Sequence, residues 1–218
     1  MFRDRFGVRD VSHVPTGVDT EYFRPSGQEQ RRPHEIVFTG SMDWMPNEDA
    51  IKWFVQDILP LVRARVPDVT LTVVGRDPPA SIRALAGDPA ITVTGSVPDV
   101  RPYIERAAAF IVPIRIGGGT RLKIFEAMAT GRAVVSTRVG AEGLDVMHNE
   151  DVILQDDPEP FADAVIEFLV NGAKRREFEQ RAADTAARFD WSQVVSRFEG
   201  ALEAGIASAR RDPVVAAR

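Results

Sequence analysis

Short apolar runs recur along the chain, and longer stretches between them keep their apolar residues at helical spacing. Runs of this length, rich in Val and Ile and mostly ending at a glycine, are typical of strands buried in a parallel sheet. Strands that alternate with helices in this way predict an α/β fold, a doubly wound parallel sheet with right-handed crossovers. The predicted strands are residues 35–40, 69–75, 91–95, 110–114, 133–136 and 151–154.

The same spacing predicts helices between the strands and additional helices at the carboxyl-terminal end. The first helix contains Pro60, which is expected to kink or divide it, and Pro46 suits the first turn of a helix. The predicted helices are residues 49–65, 80–86, 100–107, 120–130, 158–170, 174–188 and 192–210, and the last eight residues are expected to fray.

The sequence divides into three parts. Residues 1–33, which we call the amino-terminal arm, predict an incoming strand at 11–15, a turn at 16–19 and a polar hinge or linker. Residues 34–190 predict a Rossmann-like domain. Residues 191–218 contain a last helix, which is expected either to pack on this domain or to cross to another one. A crossing helix would leave its apolar residues exposed and favour self-association.

Three consecutive glycines, Gly117, Gly118 and Gly119, follow the fourth predicted strand closely, and we call them the glycine turn. Glycine adopts positive φ readily and leaves room for a ligand because it has no Cβ. Thr120 is expected to open the next helix, and Gly131 to end it as a C-cap glycine. Three apolar residues at helical spacing are expected to face the sheet, namely Leu122, Phe125 and Ala129.

Two cations, Arg121 and Lys123, fall in the predicted first turn of that helix. A cation at this end of the helix dipole is unfavourable by about 0.3–1 kcal/mol. A bound anion would reverse the effect, because backbone N–H groups, dipole and both cations would converge on it, and phosphate is the natural candidate. The alternative is that both side chains extend into solvent.

One carboxylate, Glu126, interrupts the apolar run of the same helix. A carboxylate in such a run can accept hydrogen bonds from two neighbouring hydroxyls, and the 2′ and 3′ hydroxyls of a ribose form such a pair. Lys123 lies three residues earlier and could instead be its ion-pair partner.

Ligands of doubly wound sheets bind at the carboxyl ends of the strands. Five loops rich in glycine and polar residues fall at those ends and would share one crevice. No GxGxxG pattern follows the first strand, which argues against a nicotinamide or flavin dinucleotide site. The five loops are Gly40–Ser41, Gly75–Arg76, Gly95–Val97, Gly117–Gly119 and Gly140–Gly143.

Composition excludes several other functions. The net charge of −5 provides no basic footprint for a nucleic-acid partner. The chain has no cysteine, and its three histidines, His13, His34 and His148, show no metal-ligand spacing, so no metal and no further cofactor is expected. No apolar run approaches the roughly 20 residues of a membrane span, and the first residues do not form a signal peptide. A cytoplasmic location is the expectation.

Several motifs together resemble a known family. Residues 119–129 (GTRLKIFEAMA) and 134–144 (VVSTRVGAEGL) are similar to the carboxyl-terminal domain of GT-B glycosyltransferases of family 4, as are the loops after the first three strands. Thr16–Asp19 with Phe23–Pro25 resembles the Asn-Gly-Val-Asp segment that leads into that domain. The similarity covers about residues 11–200. It implies a retaining, metal-independent enzyme with a nucleotide-diphosphate sugar as donor and an unknown acceptor.

The resemblance also implies roles for individual residues. Glu126 matches the second glutamate of the family's Glu-x7-Glu motif, which holds the ribose. The helix opening at Gly119–Thr120 matches the turn that cradles the diphosphate. The loop up to Val97 matches the segment that contacts the base, and Gly40, Ser41 and Arg76 lie on the same rim. Glu142 either reaches the donor or is solvated.

Two departures from the family pattern concern charge. Gly118 stands where the first glutamate of the motif meets the donor sugar. The basic residues that clamp the diphosphate after the first strand are absent from Ser41–Met45. Arg115, Arg121 and Lys123 are expected to take over that cationic role.

A third departure concerns length. A GT-B enzyme has an amino-terminal half that binds the acceptor, and the chain has no counterpart of it. We therefore expect either that this chain is a fragment or that the amino-terminal half is a separate chain. Any peripheral contact with a membrane would be made by that half. Two other interpretations stay open, a non-catalytic nucleotide- or partner-binding module and a sugar-nucleotide epimerase.

The three tryptophans, Trp44, Trp53 and Trp191, are interpreted as packing residues, with Trp44 on the ligand-side loop.

Overall fold

A single parallel sheet forms the centre of the structure, a computed structural model that describes residues 5–6 and 11–211. Its strand order is β3-β2-β1-β4-β5-β6, and β1 pairs with both β2 and β4. The doubly wound parallel sheet predicted from the sequence is therefore confirmed. The strands are β1 (Glu35–Thr39), β2 (Thr70–Val74), β3 (Ile91–Val93), β4 (Ala109–Val112), β5 (Ala133–Ser136) and β6 (Ile153–Leu154).

Helices cover both faces of the sheet, and two of them are extended by short segments of other helical types. A π-helical segment, Phe54–Ile58, joins the first two, and a 3-10 turn, Ala84–Gly87, follows the third. The helices are α1 (Met45–Trp53), α2 (Leu59–Arg65), α3 (Ala80–Arg83), α4 (Arg101–Arg106), α5 (Leu122–Ala129), α6 (Pro158–Val170), α7 (Gly172–Ala187) and α8 (Trp191–Arg211).

The core lies on both faces of the sheet. Ile36 and Phe38 point to the face covered by α1, α2 and α6, whereas Val37 points to the face covered by α5 and α7. Successive side chains of a strand alternate between faces. Because both faces are buried, the strands read in the sequence as continuous apolar runs.

Pro60 divides the first predicted helix, as expected. The π-helical segment immediately precedes α2, which has Pro60 in its first turn. Proline lacks the N–H for an i−4 hydrogen bond and its ring clashes with that carbonyl, and the wider π turn accommodates both. The helix also begins four residues earlier than predicted, at Met45, because Pro46 occupies its first turn.

The amino-terminal arm differs from the prediction. No strand forms at residues 11–15, and instead Val18 makes an isolated parallel bridge with Asp190. The turn begins at Asp19, whose Oδ1 accepts from the Tyr22 N–H (2.8 Å) and whose carbonyl accepts from the Phe23 N–H (2.9 Å). Asp side chains favour such turns by accepting from the backbone two or three residues on. The prediction placed the turn three residues too early.

Helix α8 is anchored at its first residues. Asp190 Oδ1 accepts from the Ser192 N–H (2.9 Å), which caps the helix, and Asp190 Oδ2 accepts from the Thr20 hydroxyl (2.6 Å). Val194 is buried. Farther along, one stripe of apolar side chains is about half exposed, namely Val195, Phe198, Leu202 and Ile206.

The predicted fraying of the chain end concerns residues 211–218, of which Arg211 is the last residue of α8 and 212–218 lie outside the described residues. In the described part, none of the helices has the length and apolar character that a membrane crossing requires. The expected cytoplasmic location stays a prediction.

Candidate functional site

A crevice of about 640 Å³ opens at the carboxyl ends of β1, β2 and β3, beside the first turns of α5. The loop rule for doubly wound sheets predicts a crevice at this edge. Phe23 of the amino-terminal arm completes its wall. The other lining residues include Gly40, Ser41, Trp44, Asn47, Gly75, Arg76, Ser96, Val97, Val100, Thr120, Arg121, Leu122, Lys123 and Glu126.

Two glycines form the floor of the crevice. The Gly40 N–H donates to the Val74 carbonyl (2.9 Å) and continues the β1–β2 ladder to its end. A Cβ built on Gly75 would lie 1.7 Å from the Gly40 carbonyl oxygen. The backbones after β1 and β2 therefore approach each other as closely as glycine alone permits.

Lys123, the second residue of α5, places its amine at this floor. Its Nζ donates to Oδ1 of Asn47 (3.0 Å) and lies 4.2 Å from the centre of the Phe38 ring. Burial lowers the pKa of the Lys123 amine to about 7; the neighbouring Glu126 carboxylate works against this shift and Arg121 adds to it. A buried amine of this kind favours an anionic partner.

Glu126 lies one turn farther along the same helix and lines the same crevice. Burial raises the pKa of its carboxyl group, and the Lys123 charge lowers it. Lys123 donates to Asn47 and forms no salt bridge with Glu126. The alternative of a plain Lys123–Glu126 ion pair is thus not what the structure shows, and the carboxylate is left to face the crevice.

Arg121 takes a different position from the one predicted. Helix α5 begins at Leu122, so Arg121 precedes the first turn as the cap residue, and Thr120 does not open the helix. Its Nη1 donates to the carbonyls of Gly118 and Gly119 (both 2.6 Å). The side chain is 5% exposed, which excludes its extending into solvent. Burial lowers the pKa of the guanidinium, and Glu142 opposes that shift.

The reason for this difference lies in the glycine turn. Gly117 and Gly119 adopt φ of 99° and 95°, and two of the turn's carbonyls are aimed at the guanidinium. Two donor atoms of Arg121, Nε and Nη2, are buried without a partner. Unsatisfied buried donors cost roughly 1–3 kcal/mol each, so the arrangement favours a ligand that can accept from them.

The later start of α5 also changes which residues face the sheet. Phe125 and Ala129 are buried as predicted, whereas Leu122 is 37% exposed and lines the crevice instead. The prediction for Leu122 was wrong because the helix begins at that residue. Gly131 follows the helix with φ of 70°, as expected for a C-cap glycine.

Five predicted residues do not line the crevice. Gly118 and Gly119 reach it only through their carbonyls, which hold Arg121. Arg115, Gly117 and Glu142 line a separate cleft of about 450 Å³ on the other side of the glycine turn, together with Arg138. Arg115 Nη2 donates to Oδ1 of Asp49 (2.7 Å), so its charge is already paired. The structure brings together Gly40, Ser41, Arg76, Val97, Thr120, Arg121, Lys123 and Glu126.

Several lining residues were missed in the sequence. Trp44 was interpreted as a packing residue, but it is 41% exposed on the rim and its ring lies 4.8 Å from the Arg121 guanidinium carbon. Its place on a ligand-side loop was the available signal. Phe23 and Asn47 carry no such signal, because only the folded chain brings them to the crevice. Trp53 is buried, as interpreted, whereas Trp191 is 47% exposed.

Metal ligands are not gathered in the part of the chain that the structure describes, where no three His, Cys, Asp or Glu side chains come together. The expectation of a metal-independent site stays a prediction.

Solved structures share this architecture. A mutant of TarM from S. aureus, in complex with fondaparinux, α-GlcNAc-glycerol and UDP, superposes with a TM-score of 0.72 at 14% identity, over 91% of this chain and 40% of that one. The carboxyl-terminal domain of the group 1 glycosyl transferase LpcC from Francisella tularensis gives a TM-score of 0.60 at 18% identity, over 78% of this chain and 97% of that one. The fold is that of the carboxyl-terminal domain of GT-B glycosyltransferases.

Sequence comparison narrows the class to a family. The family model described as "Glycosyl transferases group 1" matches residues 33–171. The chain belongs to this family of glycosyltransferases. A phosphatidyl-myo-inositol mannosyltransferase from Mycolicibacterium smegmatis is 29% identical over 210 residues, which are 90% of this chain and 54% of the relative. The chain thus spans about half the length of the curated relatives that it matches.

Proposed function

We propose that this chain is the donor-binding half of a retaining glycosyltransferase. The crevice holds a nucleotide-diphosphate sugar, from which the sugar is transferred to an acceptor. One observation carries this proposal: a partly buried amine, Lys123, and a partly buried carboxylate, Glu126, lie one turn apart and line a crevice with a glycine floor. The TarM structure, which contains UDP, has the same fold and supports the assignment.

Each part of the donor has a matching group. Glu126 would accept from the two ribose hydroxyls. Lys123 would hold the diphosphate together with the N–H groups that begin α5, since a helix N-terminus attracts anions. Val97 and its loop would contact the base, and Ser41, which accepts from Arg76 Nε (2.8 Å), would close the opposite rim.

The proposed reaction replaces one bond at the anomeric carbon by another on the same face. The bond to the diphosphate oxygen breaks, the acceptor oxygen bonds to the carbon, and the acceptor proton passes to the leaving diphosphate. Negative charge grows on the leaving group as the first bond breaks. Lys123 and Arg121 would stabilise that charge electrostatically, so the step requires no metal.

The donor sugar would extend over the glycine turn. Gly118 offers no acidic side chain there, and the cleft beyond it provides Arg115, Arg138 and Glu142. We assign sugar contacts to that cleft, with Glu142 as the acceptor of sugar hydroxyls.

The acceptor site would belong to a second domain, either in a longer chain or on a separate one. Its connections would be the amino-terminal arm, residues 1–33, and α8 with the residues up to 218. The half-exposed apolar stripe of α8 fits such a crossing, and any contact with a membrane surface would run through that domain. The similarity to LpcC, solved as a separate carboxyl-terminal domain, supports independent folding of residues 34–190.

A non-catalytic nucleotide-binding module is the second candidate. The replacement of an acidic residue by Gly118 favours it, because a module without transfer activity needs no sugar recognition. Such a module would bind free nucleotide and its sugar conjugate equally.

Calorimetric titration of the 218-residue chain with UDP, GDP, ADP and their sugar conjugates tests the proposal. We expect saturable binding of one nucleotide, tighter for its sugar conjugate. Glu126→Gln should weaken binding at least about tenfold, which is the loss of one or two hydrogen bonds to a charged group. Glu150→Gln, at an exposed loop position, is the matched control and should bind normally. A folded chain that binds none of these ligands would refute the donor-site assignment.

A further inference from the structure

The amine of Lys123 has more hydrogen-bonding capacity than the protein uses. An ammonium group has three N–H donors, and in the described part of the chain its acceptor is Oδ1 of Asn47, a neutral amide. The Phe38 ring lies against it at 4.2 Å. No carboxylate of the described residues forms a salt bridge with it. The amine is therefore held in place without a fixed counter-charge.

The surrounding elements contribute few charges. Glu126 of α5 and Arg121, the cap residue that precedes the helix, act on the amine with opposite effects. Strand β1 and its loop present Phe38 and Gly40, and α1 presents Asn47, none of which titrates. With a pKa lowered to about 7, the amine in the empty crevice is about half charged at neutral pH and mostly neutral above it.

Gly40 leaves the amine open to the crevice. A Cβ at Gly40 would lie 2.6 Å from Lys123 Nζ, and both residues line the cavity. Any side chain at that position would cover or displace the amine.

We propose that donor binding places a proton on Lys123, so that the site becomes positively charged only when a diphosphate occupies it. This inference rests on the proposed donor site. The new bond is an N–H bond, and the proton comes from solvent. An anion within about 4–6 Å of an amine favours its charged form. The empty site avoids an uncompensated buried charge, and the occupied site matches the diphosphate charge and disfavours uncharged ligands.

The sign of the pH dependence follows from linkage. If the occupied site keeps the amine charged, binding requires a proton wherever the free amine is neutral. The affinity is then flat below a pH of about 7 and falls about tenfold for each further pH unit, until the amine of the complex itself titrates. An arginine at position 123 would stay charged at every pH in this range, so the affinity would show no such pH dependence.

Titration calorimetry in two buffers of different ionisation enthalpy measures the proton directly. UDP-glucose and GDP-mannose are suitable probes, because their doubly esterified diphosphates stay ionised across this range and bring no titration of their own. At a pH of about 8 we expect uptake of close to one proton per bound donor, and at a pH of about 6 close to none.

Three variants test whether Lys123 is the residue that takes up the proton. Lys123→Met should lose both the uptake and most of the affinity. Lys123→Arg keeps a fixed charge and should bind without uptake, and Arg121→Met should weaken binding but retain uptake. Binding by the unmodified chain with no proton uptake at either pH would overturn the inference and leave the donor site intact. A folded chain that binds neither probe at any pH would overturn both.

Discussion

Gly75 lies so close to Gly40 that a single methyl group on it would reach 1.7 Å from the Gly40 carbonyl oxygen. Neither partner can give way, because both are backbone at the ends of paired strands. Gly75→Ala should therefore shift the loops that form the crevice floor and reduce the free energy of unfolding by about 1–3 kcal/mol. Urea denaturation measures the loss. Gly87→Ala, where nothing lies within 4 Å of the added methyl, is the control and should change stability by less than about 0.5 kcal/mol.

Gly40→Ala should reduce both stability and donor binding. Its methyl group meets the ends of two flexible side chains, Lys123 Nζ at 2.6 Å and Asn47 Nδ2 at 2.8 Å, which can move aside. We expect the free energy of unfolding to fall by about 1–3 kcal/mol, because L side chains rarely adopt the φ of 158° found at Gly40. Binding of a nucleotide sugar should weaken at least about tenfold, the equivalent of one lost charge-assisted hydrogen bond. Normal affinity in this variant would show that the Lys123 amine is not part of the site.

Lys123→Met should stabilise the chain at neutral pH while it removes donor binding. The folded pKa of Lys123, about 7, is below that of an unfolded lysine, so the unfolded chain binds the extra proton. The free energy of unfolding consequently rises with pH between about 7 and 10. The variant should lose that slope, which thermal unfolding at several pH values would reveal. An unchanged slope would contradict the buried position of the amine.

Phe23→Ala should affect the nucleoside end of the donor. Phe23 lines the crevice next to Val97 and Val100, and Tyr22 meets its ring edge-on at 5.0 Å. Loss of an aromatic wall beside a base costs roughly 1–3 kcal/mol. Titrations should show weaker binding of nucleoside diphosphates and unchanged binding of inorganic pyrophosphate. Equal weakening of both ligands would mean that the variant deforms the whole crevice.

Asp190→Asn should weaken the start of α8 and change the acid response. Hydrogen bonds from Ser192 and Thr20 hold the pKa of Asp190 well below its usual range. A depressed carboxyl pKa contributes stability above the unfolded value, near 4, and that contribution disappears as the pH falls further. The variant should be less stable at neutral pH and lose less stability on acidification. Circular dichroism at pH values from about 2 to 7 provides the comparison, with Asp163→Asn on the surface as control.

The sheet could be predicted because its strands are buried on both faces. Ile36, Val37 and Phe38 read as one apolar run for that reason, and the parallel order then placed the crevice at the correct edge. In a parallel sheet the loops that follow the strands all lie at the same edge. The places of Gly40, Arg76 and Val97 after β1, β2 and β3 could therefore be predicted without any contact information.

The interior of the site could not be predicted in the same way. A glycine turn has no preferred direction for its carbonyls, and the sequence could not show that those of Gly118 and Gly119 would hold Arg121. Lys123 lies in α5, which follows β4, whereas Asn47 lies in α1, which follows β1. Their contact therefore joins residues far apart in the sequence and could not be predicted from it. Helix start signals also misled, since Thr120 resembles a cap residue but α5 begins at Leu122.

The bridge between Val18, which is buried, and Asp190 fastens the amino-terminal arm to the start of α8. Any domain carried by these two segments would share that attachment point as its pivot. Trp191 sits at that pivot, with its ring 2.7 Å from where a Cβ of Gly17 would be. Its fluorescence would therefore report rotation there, while the other two tryptophans, Trp44 and Trp53, report on the rim and the core.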